Sequence, residues 1–449
     1  MKKCLSFLLC LACAFAVYLL TPESMPELAR RCAALFVFAG LLWAFEVFAL
    51  HAVSLALVVL QILLLAEEGG FAPEGGIAYQ EFLKPFASPV IMLFLGGFLL
   101  SRAMTKHGVA RILFSKILKP FASSASLFLW SLIAITAFFS LWISNTATTA
   151  MMLAILIPAL KKMPRDRFHS ALILAVPFGA TIGGMGTPIG TPPNAIAVAA
   201  LREMGLTLTF TGWMMAAVPL MLILLGLVWI VLKLLFPVEN KFQIQLAETD
   251  EALSREGKWT SAITLAAVFL WLTRPWHGLD ESVPALMAAA GLTALKLLDR
   301  KDIDSIEWDI LVLMWGGLSL STGMSLTGLA DWFGALNWAQ LPPSGRAAMI
   351  AGMTVALSTF MNNTASASLL IPLAIAAGGA AHSIHAAFLT ALAASLALAL
   401  PISTAPNAMA FASGRLRAAD MLKAGSLISI LGLLIILTAQ PLLSALRLI

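Results

Sequence analysis

Residues 143–150 read ISNTATTA, and positions 144–149 carry five hydroxyl or amide side chains in the middle of apolar sequence, between FFSLW and MMLAILIP. At membrane depth such groups have two uses. Serine and asparagine oxygens, with unwound backbone carbonyls, can coordinate a hard monovalent cation such as sodium, and asparagine or threonine donors at an exposed helix N-terminus can hold carboxylate oxygens. A related stretch, MNNTASAS, stands at 361–368, and PIGTPPNA at 188–195 and PISTAPNA at 401–408 interrupt two other apolar runs. None of the four contains Lys, Arg, Asp, Glu or His. A multivalent anion held there without arginines needs its charge offset by helix dipoles and co-bound cations, which predicts coupling to more than one sodium ion.

These stretches form a repeat, and repeats take precedence over single motifs. LFLGGFLLSRAMTKHG from Leu93 matches LMWGGLSLSTGMSLTG from Leu313 at an offset of 220. Ser140 ahead of Ser144-Asn145-Thr146-Ala147 matches Ser358 ahead of Asn362-Asn363-Thr364-Ala365 at 218, and PIGTPPNA matches PISTAPNA at 213. A lone Ser-Asn-Thr in a membrane helix is ordinarily packing between helices, and a lone Pro-Pro a kink. Duplication in one order at nearly one offset argues for a shared functional purpose.

The elements that must position these residues follow from the backbone. Proline and glycine break helical hydrogen bonding at 188–195 and 401–408, and non-helical backbone at membrane depth survives only when buried or lining a cavity. The SNT and NNT stretches are flanked by apolar arms too short for two full crossings, so each reads as the tip of a re-entrant helical hairpin. If the first hairpin enters from inside and the second from outside, the tips meet.

Composition sets the class. Of 449 residues 60% are hydrophobic and 11% charged, and mean hydropathy is +0.93, values of a polytopic membrane protein with no room for a sizeable soluble domain. At about 20 apolar residues per crossing, the runs suggest spans at 5–21, 32–50, 52–66, 88–105, 169–203, 209–236, 259–275, 283–298, 309–328, 384–414 and 420–445. The expected fold is therefore all-α, with about 11 transmembrane helices and two hairpins in an inverted repeat. The first repeat is 1–238 (scaffold helices 1–120; hairpin, unwound helix and following helix 121–238), the polar linker 239–258 is cytoplasmic, and the second repeat is 259–449 (scaffold helices 259–340; hairpin, unwound helix and last helix 341–449).

The formal charge of +5 reports topology, not nucleic-acid binding. Arg102, Lys106, Arg111, Lys116 and Lys119 precede the first hairpin, Lys161, Lys162, Arg165 and Arg167 follow it, and Arg415, Arg417 and Lys423 precede the last helix. The opposite loops are acidic or uncharged, such as EEGGFAPEGGIAYQEFLK and GGAAHSIH. This bias places the amino terminus in the cytoplasm and the carboxyl terminus outside, in a cell (inner) membrane, with Arg30 and Arg31 as exceptions on the outer side. The first twenty residues resemble a signal peptide but lack a small-residue cleavage site, and read as a retained helix. Cys4, Cys10, Cys13 and Cys32 lie in the first two helices and read as small apolar residues. Glu46, inside LLWAFEVFAL, is an intramembrane carboxylate with structural and functional readings left open. Asp309 and Asp331 read as caps or interfacial groups, and the six histidines sit at span boundaries without metal spacing.

The chain resembles the divalent anion/sodium symporter family, carriers of di- and tricarboxylates. LLWAFEVFALHAVSLAL, ASPVIMLFLGGFLLSRAMTKHG, ISNT, GTPPN, the later GG segment, NNT and TAPN carry the resemblance over nearly the whole chain. It implies a homodimer in which a scaffold holds an elevator-like transport domain. By position it implies a first sodium site from Ser140, Ser144 and Asn145 with backbone near Gly190. The second would use Ser358, Asn362 and Asn363, with backbone near Met361 and Ser403. Substrate carboxylates would meet Ser144-Asn145-Thr146 and Asn362-Asn363-Thr364, with Thr191 and Thr404 alongside. The chain departs from the family's pattern at Asn362, where Ser is usual, and at Ala405 and Ala49, where Pro is usual. The leading expectation is sodium symport of a C4-dicarboxylate; sodium-independent exchange and sodium-coupled sulfate transport are the rivals. An intramembrane enzyme lacks HExxH or paired aspartates in facing helices, and a channel would need a continuous polar path.

Overall fold

A computed structural model of the chain describes residues 2–72, 75–161, 166–238, 242, 244, 246, 252–336, 341–379 and 382–445. Lys162 and Arg165 of the basic flank, Ala380 and Ala381 of the GGAAHSIH loop, and most of the 239–258 linker lie outside the described residues. Apart from one isolated bridge between Ala66 and Ile77, the regular elements among the described residues are helical. Five of these helices are long and apolar enough to cross a membrane, among them Phe210–Leu235 and Trp308–Leu326. The protein is an all-α membrane protein of the multi-pass class.

Both polar stretches form helical hairpins. The first runs Ala125–Ser140, turns at 141–144 and returns as Asn145–Lys161; the second runs Pro343–Phe360 and returns as Asn363–Gly378. At 1.5 Å per residue a 16-residue limb rises only ~24 Å, short of the ~30 Å hydrocarbon core. The helix Asn363–Gly378 starts on Asn362, whose side chain accepts from Thr364 N at 2.8 Å, and ends at Gly379 with φ +66°, a residue whose conformation disfavours a side chain.

Each proline motif breaks a helix. Phe168–Gly184 stops before Pro188 and restarts as Pro192–Glu203, and Ser383–Ala394 stops before Pro401 and restarts as Ala405–Ala412. Proline removes a backbone donor and clashes with the preceding turn, so the runs 169–203 and 384–414 cannot each be one helix.

Close packing groups the chain into two units. Unit 1 comprises 1–91, 195–208 and 307–394. Its core collects Cys32, Trp43, Leu57, Leu320 and Met361, and small residues let helices approach: a Cβ at Gly316 would stand 2.5 Å from Ser54 Cβ, and one at Gly317 would stand 2.5 Å from Ser368 Cβ. Buried Gln61 and Ser319 bond twice, Gln61 Nε2 to Ser319 O at 2.9 Å and Ser319 Oγ to Gln61 Oε1 at 2.8 Å.

Glu46 also lies in unit 1, but not inside a span. It sits in an exposed turn between Glu27–Ala44 and Leu50–Leu65 with φ +45°. The span expected at 32–50 is thereby corrected: its helix ends at Ala44, and the apolar run LLWAFEVFAL conceals a turn in which Phe45, Glu46, Phe48 and Ala49 are exposed.

Unit 2 comprises 92–194, 209–306 and 395–449. Nearly every side chain of Phe168–Gly184 is buried, the mark of a helix at the centre of its unit. The first hairpin lies against it, with Gly183 so close that a Cβ would fall 2.4 Å from Ala137 Cα. At the edge of this unit the helix Arg300–Asp304 begins with a reciprocal cap between Asp299 and Asp302. Arg102 Nε and Lys106 Nζ reach Asp302 at 3.0 and 2.5 Å. Burial raises the Asp302 pKa, but the Asp299 backbone N–H and the Lys106 and Arg102 charges outweigh it and hold the carboxyl at about 2. The glycines that close the first repeat match, Gly108 and Gly328, both adopt positive φ (+65° and +78°) just ahead of a helix.

Candidate functional site

At the first tip, Ser140 closes one limb and Asn145 opens the next. The two side chains meet beside the break in Phe168–Glu203. With the Asn145 amide oxygen inward, Oδ1 accepts from Ser140 Oγ at 2.6 Å and also faces the carbonyl oxygens of Ala180 and Gly190, at 3.0 and 3.2 Å. With its nitrogen inward, the amide donates to both carbonyls and to Ser140 Oγ over the same distances. Nitrogen inward satisfies the cluster by itself; with oxygen inward the Ser140 hydroxyl still donates to Oδ1, while the Ala180 and Gly190 carbonyls face a further oxygen, a repulsion that a bound cation would relieve. Every group in this cluster is neutral.

The close approach depends on Gly184, where a Cβ would stand 2.5 Å from Asn145 Oδ1 and 2.8 Å from Gly190 O. Thr187 Oγ1 donates to Leu141 O at 2.6 Å, tying the break to the tip, and Trp213 Nε1 donates to Met185 O at 2.9 Å. Of the residues expected in the first sodium site, Ser140, Asn145 and Gly190 are therefore brought together. Ser144 Oγ accepts from Ala147 N at 3.3 Å, capping the returning limb on which Thr146 lies half-buried, and Thr191 is buried at the end of the break.

The second tip repeats this pattern within its own unit. Ser358 Oγ lies 2.7 Å from both Asn363 Oδ1 and Ala394 O, and Ser358, Met361, Asn363 and Thr364 are all buried. Asn362 is half-buried, with its oxygen on Thr364 N. Ser403, in the second break, points its hydroxyl at Ala397 O and Leu400 O, at 2.9 and 2.7 Å. Thr404 caps Ala405–Ala412 by accepting from Asn407 N at 3.1 Å.

Four groups escaped the sequence reading. Asn194 Nδ2 donates to the carbonyls of Gly184, Met185 and Thr187, at 3.0, 3.2 and 2.8 Å. Asn407 Nδ2 does likewise with Leu398 and Leu400, at 3.2 and 3.1 Å, and with Ser403 Oγ at 3.2 Å. Both are the final Asn of a duplicated motif, so the signal was present and its meaning was not. The carbonyls of Ala180 and Ala394, 214 positions apart, carry no signal at all, because any residue supplies a backbone oxygen.

The description citrate transporter (CitMHS) matches residues 40–397. An uncharacterized transporter of Haemophilus influenzae is 32% identical over 436 residues, covering 90% of each chain. Sodium-dependent dicarboxylate transporter SdcS of Staphylococcus saprophyticus is 28% identical over 444 residues, 89% of this chain and 84% of that protein. Among solved structures, the Alcanivorax borkumensis YdaH transporter superposes with a TM-score of 0.62 at 14% identity, covering 92% of this chain and 98% of that one. At that identity the likeness speaks to fold alone.

Proposed function

We propose, for a chain that belongs to the divalent anion/sodium symporter family, sodium-coupled uptake of a C4-dicarboxylate of the succinate, malate or fumarate class. The chain is a transporter and not an enzyme, as its relatives are. The observation that carries the sodium reading is the oxygen cluster at Asn145, Ser140, Ala180 and Gly190. Sodium entering it turns the Asn145 amide oxygen inward, and the nitrogen then faces away, free to donate to an anion. Cation and carboxylate are in this way linked through one side chain.

The Ser358–Asn363–Ala394 cluster supports a second sodium in the other repeat. We infer a half-site for one carboxylate at each tip, Ser144, Asn145 and Thr146 with Thr191 at the first and Asn362, Asn363 and Thr364 at the second; Thr404 is assigned by family resemblance alone. The N-termini of Asn145–Lys161 and Asn363–Gly378 add their dipoles to these donors. Eleven crossings, a cytoplasmic amino terminus, a homodimer and elevator-like movement complete the proposal, and rest on span spacing, basic flanks and family resemblance.

The test is uptake into proteoliposomes of succinate, citrate and sulfate, with and without an inward sodium gradient. Sodium-dependent succinate uptake is expected. Equal uptake without sodium overturns symport, and competition by sulfate but not by dicarboxylates overturns the carboxylate assignment.

A further inference from the structure

Trp142 stands in the turn of the first hairpin, two residues before Ser144 and three before Asn145. Its ring lies nearly parallel to that of Phe210, the first residue of Phe210–Leu235, with 6.3 Å between centroids and 14° between planes. Phe210 in turn stacks on Trp271 at 5.4 Å and 15°. Both separations fall in the range of roughly 4.5–7 Å over which aromatic pairs attract. Phe210 and Trp271 are buried and Trp142 is half-buried, so three rings form one column from the tip into unit 2.

One buried carboxylate fixes the far end of the column. Glu281 Oε1 accepts from Phe210 N at 3.1 Å and pairs with Arg274, and Glu281 O accepts from Trp271 Nε1 at 2.8 Å. Neither ring can slide without breaking a buried hydrogen bond. The same helix also holds the break, because Trp213, three residues after Phe210, donates from Nε1 to Met185 O. Tip and break are joined directly by Thr187 Oγ1 and Leu141 O, next to Trp142. The second tip differs: the residue matching Trp142 at the offset of 218 is Phe360, which is 67% exposed.

We propose that Trp142 is a positioning residue for the first sodium site: its stack on Phe210 and Trp271 holds the tip turn against the break, so that Ser140 and Asn145 face Ala180 and Gly190 before the cation arrives. The proposal rests on the sodium reading given above. Trp142 acts through the tip and not on the ion. It raises the fraction of molecules whose tip is competent, and apparent affinity falls with that fraction when the column is cut.

The full chain in mild detergent is heated over a series of sodium concentrations, with choline keeping ionic strength constant. The sodium concentration that gives half of the maximal rise in unfolding temperature is read. Trp142→Leu and Trp271→Leu each raise it, by roughly two- to tenfold for the loss of one aromatic pair. Trp142→Phe, which keeps a ring in the column, stays close to the unaltered protein. The double variant raises it by less than the product of the two single effects, because cutting the column at either end releases the same tip. A merely structural role would lower the unfolding temperature without sodium and leave the half-maximal concentration where it was. Succinate uptake by Trp142→Leu at saturating sodium stays near normal, since the filled site is intact. An unchanged half-maximal concentration in Trp142→Leu, single effects that multiply independently, or lost uptake at saturating sodium overturns the proposal and leaves the sodium reading standing. Unfolding of the unaltered protein that ignores sodium overturns both.

Discussion

Asn194 and Asn407 occupy the same place in the two broken helices, and each turns its side-chain nitrogen onto backbone oxygens of its own break, Gly184, Met185 and Thr187 for one and Leu398 and Leu400 for the other. The proline that unwinds the helix strands carbonyls in a buried place. The asparagine directly after the last proline of each motif takes them up.

Removing that donor from the first break takes the side-chain partner from Gly184 O, at about 1–3 kcal/mol, while Met185 O keeps Trp213 Nε1 and Thr187 O keeps Gly190 N. Asn194→Ala is expected to lower the thermal midpoint and to weaken apparent sodium affinity, since Gly184 abuts Asn145. Asn194→Asp, nearly isosteric, should not rescue either property, because an ionised carboxylate cannot donate to three oxygens. Normal sodium affinity in Asn194→Asp would show that the clamp is unnecessary.

Asn145→Ala removes the amide oxygen from the first cluster. Succinate uptake should fall to background with the protein still inserted and folded, while sodium no longer protects it against thermal unfolding. Near-normal uptake would remove Asn145 from the site.

Gly184→Ala tests the geometry without touching a ligand. The new Cβ would stand 2.5 Å from Asn145 Oδ1, so uptake should drop and the sodium concentration for half-maximal rate should rise at least tenfold, corresponding to ~1.4 kcal/mol. Gly97→Ala, with nothing within 4 Å of its Cβ, is the control and should transport normally.

Asn362→Ser restores the residue the family usually carries. Serine is also a good helix N-cap, so the Asn363–Gly378 limb should start as before and stability should change little. The shorter side chain should shift preference among succinate, malate and citrate, read as a ratio of uptake rates. Unchanged ratios and unchanged sodium affinity would place Asn362 outside the site.

Asp302 gives the pH prediction. Its folded pKa of about 2 lies below the ordinary 3.8, so its contribution is full above the unfolded value and lost as pH falls through the folded one. The difference amounts to about 2 kcal/mol. Denaturation midpoints of the unaltered protein should decline between about pH 4 and 2, and Asp302→Asn should flatten that decline while lowering the midpoint at neutral pH.

The parts legible in sequence were those where residue type conflicts with surroundings. Prolines at 188, 192, 193, 401 and 406 inside apolar runs announced the two breaks, and the amides at 145 and 363 announced the tips. Ser140 and Ser358, five residues earlier, were found through the repeat and do meet those amides. The turn at Glu46 was hidden because Phe45, Phe48 and Ala49 are apolar and exposed, as suits a surface facing lipid. Gly184 is one of three glycines in GGMG, and only the fold distinguishes the one pressed against Asn145 from its neighbours.

The central claim is that sodium and dicarboxylate move together, and it is tested most directly by driving one with the other. Proteoliposomes with equal radiolabelled sodium on both sides and an inward succinate gradient should accumulate sodium above its starting level, and Asn145→Ala vesicles should not. Succinate entry with no net movement of sodium would contradict the account.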